Sequence, residues 1–189
     1  MNMNLLHSAA LLTSNENKLK EFQDYLGDKL TMKKGKDIKE VAADSDTVSL
    51  YKSLEAGAQT ITEDTILTID GEEVVDIRYK LSSLKGMSST PTALWQVMLA
   101  YNDGNYIYLF KGTTEGVLRA ITDIPKDAFG FDPNFYPTGE DESLYALNQK
   151  GRKKDVSARC KALALLTKGQ YFKRVKIADI PKWEGNYQQ

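Results

Sequence analysis

Apolar runs of strand length alternate along this chain with stretches of helical periodicity, and that alternation limits the folds open to it more than any other feature. Residues 5–12 form a short apolar run that reads as a buried strand, and a polar turn then leads into helical spacing over residues 18–26. From Thr47, the residues Val48, Tyr51, Leu54 and Ala58 recur at helical intervals. Residues 65–70 alternate as a strand does, and Gly71 ends them. Thr90-Pro91 supplies a cap and a first-turn signal for a helix through Ala100. Residues 106–111 and 115–121 read as two antiparallel strands joined through Gly112. Asp155 stands where it can cap a last helix to Thr167 that turns Val156, Cys160, Leu163 and Leu166 inward. The tail from Ile177, with Trp183 and Tyr187, shows no periodicity. Strands alternating with helices, plus a hairpin, predict an α/β fold with a mixed sheet. Its 189 residues suit one domain, with a core over about residues 5–177 and a tail over 178–189.

Charge narrows the function classes. Lys and Arg number 25 against 26 Asp and Glu, a net charge of −1, so no basic surplus draws the chain to nucleic acid or an anionic membrane. Any anion site must be local. The single cysteine, Cys160, excludes an intramolecular disulfide and falls in an apolar helical pattern, as a small core residue does. The run at residues 5–12 lacks a preceding Lys or Arg and a small-residue cleavage site, and no apolar run reaches transmembrane length. The expected setting is the cytoplasm. The only histidine, His7, lies on the apolar first strand, which gives a histidine catalyst or a zinc site little support.

Four segments can carry chemistry. Thr13-Ser14-Asn15-Glu16-Asn17-Lys18 follows a strand and opens a helix, where backbone N–H groups and the positive dipole end favour phosphate and Lys18 adds a point charge. Glu63-Asp64-Thr65 stands directly before an apolar strand; two hard carboxylates there suit Mg²⁺, and a carboxylate beside that ion can orient or deprotonate water. Phe129-Gly130-Phe131-Asp132-Pro133 offers an aromatic face for a base, a glycine for close approach and an acid for base or sugar. Lys153-Lys154-Asp155-Val156-Ser157-Ala158-Arg159 is a basic cluster at a helix start. Taken singly, each is also an ordinary turn, a solvated acid pair or a charged face.

In this order the four segments resemble the inosine triphosphate pyrophosphatase family, which removes deaminated purine nucleotides such as ITP, dITP and XTP. The similarity spans roughly residues 11–168. It implies an elongated two-lobed α/β fold with a long central mixed sheet flanked by helices, an active-site cleft between the lobes, and a homodimer. It further implies a magnesium-dependent hydrolase that releases pyrophosphate. By resemblance, Thr13, Ser14, Asn15 and Lys18 belong to the triphosphate loop and Lys52 is a phosphate-facing lysine. Asp64 is the metal-binding carboxylate that also activates water, with Glu63 beside it and Thr65 touching substrate. Phe129, Gly130, Phe131 and Asp132 form the base-stacking turn; Lys153, Ser157 and Arg159 bind the nucleotide; Arg78 sits where a phosphate lysine is usual.

Two positions depart from the family. Thr47 falls where a second metal-binding Glu is usual, and Asp46 or Asp44 would have to substitute. Ala158 replaces the histidine of a Ser-His-Arg motif, which points to a relaxed or shifted base preference, since discrimination rests on paired polar groups. Two alternatives stay open: a pyrophosphatase of the same fold that acts on pyrimidine or modified nucleotides, and a diverged module that binds nucleotide without hydrolysis.

Overall fold

The computed structural model describes residues 1, 8–27, 31–35, 38–74 and 90–188. The first strand, Ala10–Thr13 (β1), is shorter than the apolar run that predicts it; residues 5–7 of that run, with His7, lie outside the described residues. Asn15 caps the helix Glu16–Leu26 (α1), which buries Phe22 and Leu26. Thr31–Lys34 (β2) pairs parallel with β1. Asp44 caps Ser45–Ala56 (α2), two residues ahead of the start the spacing predicts. The next strand, Thr60–Ile69 (β3), also runs parallel to β1, with Leu12 opposite Thr62. It turns back into Glu72–Val74 (β4) through Asp70-Gly71, both at positive φ, the geometry of a two-residue turn that suits strand twist.

Three expectations about elements are corrected. Residues 90–100 are not a helix: Thr92–Asn102 is a strand (β5), whose first half buries Ala93, Trp95 and Val97 alternately. That period of two, on residues that favour strands, outweighs the Thr-Pro cap signal, which is local and weak. The two strands about Gly112 are one, Tyr106–Leu118 (β6). Gly112 lies in strand backbone instead of a turn. Finally, Glu63 and Asp64 do not precede their strand but sit inside β3, buried and half-buried.

The C-terminal third holds Phe135–Pro137 (β7), then Leu144–Gln149 (α3), Lys153–Val156 (α4) and Ala158–Thr167 (α5), and ends with Lys173–Lys176 (β8) and a 3₁₀ turn, Ile177–Asp179. Asp155 lies inside α4; Ser157 performs the capping expected of it, its Oγ accepting from Cys160 N–H. Cys160, Leu163 and Leu166 are buried as expected, and Val156 is half-buried. Among the described residues the strands form one mixed eight-stranded sheet in the order β2-β1-β3-β5-β6-β7, with β4 on β3 and β8 on β6.

The chain divides into two compact units. The first comprises residues 1–64, 97–112 and 162–189; Met98, Ala100, Ile107 and Leu109 form a core cluster there, with Leu50, Leu54, Ile177 and Ile180 against it. The second comprises residues 65–96 and 113–161 and centres on Trp95, Phe131 and Phe135, whose rings meet at centroid distances of 5.6 to 6.4 Å. Gly116 of β6 lies so close to β7 that a Cβ would overlap the Tyr136 carbonyl oxygen and come 2.7 Å from a Phe135 ring carbon. Gly116→Ala should therefore destabilise the protein by about 1–3 kcal/mol, read as a lower urea midpoint with an unchanged slope.

Candidate active site

Each unit gathers one cluster of buried charge. In the first, parallel pairing sets Thr13, at the end of β1, one residue past the Leu12–Thr62 pair, which brings the start of α1 level with Glu63. Lys18 Nζ reaches Glu63 Oε2 at 2.7 Å, and the Glu63 side chain is 2% exposed. Asp64, next along the strand, has a different partner, since neighbouring side chains on a strand project to opposite faces. Its Oδ1 lies 4.0 Å from Lys52 Nζ on α2, and the same ammonium group donates to Glu40 Oε1 at 2.6 Å. The acids expected to act as a pair are thus divided between two lysines from two helices.

Glu40, Glu63 and Asp64 lie here with Lys18 and Lys52. Burial pushes the Asp64 carboxyl up to about 6, Lys52 opposes this, and Glu40 and Glu63 add to it. Burial alone would lower the Lys52 ammonium, but Asp64 and Glu40 beside it raise it above the usual lysine value. An acid near neutrality can take a proton from water.

Other residues expected at this site are engaged elsewhere. Thr13 Oγ1 accepts from Asn15 N–H, and Asn15 Oδ1 accepts from the N–H groups of Asn17 and Lys18, so the side-chain cap already occupies donors expected to meet phosphate. Ser14 is exposed. Asp44 accepts from Thr47 N–H and Oγ1 as the α2 cap, and the Thr47 N–H holds its carboxyl below the usual range. Asp46 faces Lys173 at 3.4 Å and Lys111 at 3.6 Å. Among the described residues no three of His, Cys, Asp and Glu group closely enough to hold a metal by themselves. The Asp64 carboxyl, beyond hydrogen-bond distance from Lys52, still fits a hard cation that takes one or two acids and completes its shell with water and phosphate, as Mg²⁺ does. Arg78 lies outside the described residues.

The second unit places Lys153 Nζ 2.7 Å from Asp132 Oδ2, both side chains below a tenth exposed. Arg159, buried at the start of α5, donates from Nη2 to Thr65 Oγ1 at 3.3 Å. Its guanidinium and the Lys153 ammonium lie 5.6 and 5.7 Å from the Trp95 ring centroid. Phe131 belongs to the aromatic core with Trp95 and Phe135, whereas Phe129 is half-buried and Gly130 exposed at φ 53°. Ser157 and Ala158 are fully buried. Sequence reasoning missed Trp95, hidden in a segment read as helix, and Glu40, which no motif marks.

The model of the Ham1 family matches residues 9–169. The chain belongs to the Ham1 family. A relative from Batrachochytrium dendrobatidis (strain JAM81 / FGSC 10211), an inosine triphosphate pyrophosphatase, is 31% identical over 179 residues, covering 85% of this chain and 93% of the relative. A dITP/XTP pyrophosphatase from Aliarcobacter butzleri (strain RM4018) is 36% identical over 100 residues, 52% of this chain and 48% of that protein. The structure of the Staphylococcus aureus Ham1 protein superposes with a TM-score of 0.62 over 85% of this chain and 97% of its own, at 20% identity, which supports the Ham1 fold.

For this Ham1-family chain the raised Asp64 makes a prediction about stability. Between about pH 4 and about pH 6 the folded protein holds a proton on Asp64 that the unfolded chain has released, so this group's contribution weakens as pH rises through that window. Without divalent cation, Asp64→Asn should stabilise the protein at pH 7.5 by on the order of 1–3 kcal/mol, the wide range allowing for partial solvent screening. The gain should vanish below about pH 4, where both states are protonated, and paired denaturant titrations at the two pH values measure it.

Proposed function

We propose that this chain is a nucleoside triphosphate pyrophosphatase that hydrolyses nonstandard purine nucleotides such as ITP, dITP and XTP to the monophosphate and pyrophosphate. The observation that carries the reading is Asp64, a buried carboxyl raised to about 6 and flanked by Lys52, with the Lys18–Glu63 pair on the neighbouring strand position. Water attacks the α-phosphorus; a new P–O bond forms, the bond to the bridging oxygen breaks, and pyrophosphate leaves. Asp64 orients the water and takes its proton. Lys18 and Lys52 neutralise the phosphate charge, so the chemistry rests on positioning and electrostatics and needs no covalent nucleophile. A magnesium ion, which Asp64 would hold with water and substrate phosphate, would supply further charge neutralisation when bound. The homodimer and the cytoplasmic setting belong to the same proposal; among the described residues no helix is long and apolar enough to cross a membrane.

Base recognition we assign to the second unit's cluster, with Phe129 offering a ring face and Lys153, Asp132 and Arg159 the polar contacts. Ala158 has no polar side chain and is fully buried, which supports a base preference shifted or relaxed relative to relatives with an imidazole there.

A nucleotide screen that scores pyrophosphate against orthophosphate tests both statements. ITP and XTP should yield pyrophosphate, EDTA should abolish it, and Asp64→Asn should lower kcat by roughly 10²–10⁴-fold. GTP, ATP or dUTP should be turned over within about 100-fold of ITP, the discrimination one polar contact provides in a site not built around it. Orthophosphate as the product, or full activity in Asp64→Asn, would contradict the assignment; strict preference for ITP and XTP would contradict the shifted specificity.

A further inference from the structure

Trp95 stands on β5 with its side chain turned into the second unit, 2% exposed. Phe131 and Phe135 meet the indole edge-on, their planes at 80° and 73° to it, so packing fixes the ring. Packing therefore also fixes the direction of the indole N–H. That group is buried and has no hydrogen-bond acceptor among the described residues. Ser49 and Ser53 also bury unpaired hydroxyls, but a hydroxyl rotates about its own bond, whereas an indole N–H turns only with its ring. An unpaired buried donor costs free energy, and buried tryptophans usually find a partner.

The surroundings of the ring define what could accept from it. The Lys153 ammonium and the Arg159 guanidinium lie over the same indole, 5.7 and 5.6 Å from its centroid. Lysine, arginine and tryptophan side chains all donate hydrogen bonds, and none accepts one. Asp132, bonded to Lys153 at 2.7 Å, brings a carboxylate acceptor to this group. Ala158, fully buried beside Arg159 in the sequence, adds no polar atom. A cluster so rich in donors suits a ligand edge rich in acceptors. The 6-oxopurines present N7 and O6 side by side as acceptors, while adenine places an amino donor at position 6.

We propose that Trp95 is a specificity-determining residue whose indole N–H donates to the 6-oxo group of a purine base. This rests on the assignment of base recognition to the second unit. Because Lys153 lies over the ring, the base gains the N–H as the Lys153–Asp132 pair opens and both members turn to the ligand. A 6-oxo group satisfies a donor that the nucleotide-free chain leaves unpaired. Adenine sets its own amino donor against that N–H and leaves it unpaired still. Discrimination between the two bases comes from that difference.

Nitrogen-15 NMR of the full-length chain reads the contact directly. Trp183→Phe, a change in the first unit, leaves Trp95 as the sole indole. Its N–H resonance should move downfield with IMP or GMP and stay in place with AMP or inorganic pyrophosphate. Trp95→Phe keeps an aromatic face for the two cations and removes the donor. In that variant the ratio of kcat/KM for ITP over ATP should fall about 10-fold, through a higher KM for ITP with kcat held within about twofold. An indole resonance that moves as far with AMP or pyrophosphate, or stays in place while IMP shifts other resonances, would overturn the proposal. An unchanged ratio in Trp95→Phe would do the same. If that variant does not fold, the indole resonance decides alone. IMP and ITP that shift no resonance at all would instead overturn the nucleotide reading, and the role of Trp95 with it.

Discussion

Keeping carboxylates buried inside strand β3 is the constraint on which the first unit turns. Glu63 is almost wholly buried, and a buried acid persists only when it is paired. Lys18 pairs it because β1 and β3 are parallel and in register at Leu12 and Thr62, so the helix that follows β1 begins beside the acid. Asp64 draws Lys52 from α2, and Glu40 competes for the same ammonium. The result is a carboxyl near neutrality, next to two cations able to exchange a carboxylate for a phosphate. The arrangement that weakens this part of the fold is the one the proposed chemistry uses.

The second unit handles buried charge differently. Lys153 and Asp132 close on each other at 2.7 Å, a pair whose desolvation is offset only while both members are present. Arg159 keeps its charge inside by bonding Thr65 and lying near the Trp95 ring, where a planar guanidinium is better placed than an ammonium. Positive φ at Gly130 forms the turn that sets Asp132 in range, and Ser157 caps α5 so that Arg159 falls on its first turn. Rigid backbone chemistry thus aims each of these side chains.

Much of this was legible in residue order. The α/β class, the helix around Tyr51 and the burial of Cys160 follow from local spacing, whereas the cap expected at Asp155 falls to Ser157. The strand at Thr92–Asn102 did not, because a Thr-Pro signal and apolar content fit a helix as readily until strand neighbours are known. Gly112 misled for a similar reason: a glycine between two apolar runs reads as a turn until strand pairing is known.

By itself, then, the sequence determined which side chains carry charge or an aromatic face and in what order, with helix and strand legible only where the local period was unambiguous. Only the tertiary structure decided partnership. It divided Glu63 and Asp64 between two lysines, sent Asp46 to Lys111 and Lys173, and brought Glu40 to Lys52. Pairing depends on strand register and on contacts between residues far apart in the chain, and no spacing along one sequence encodes those distances.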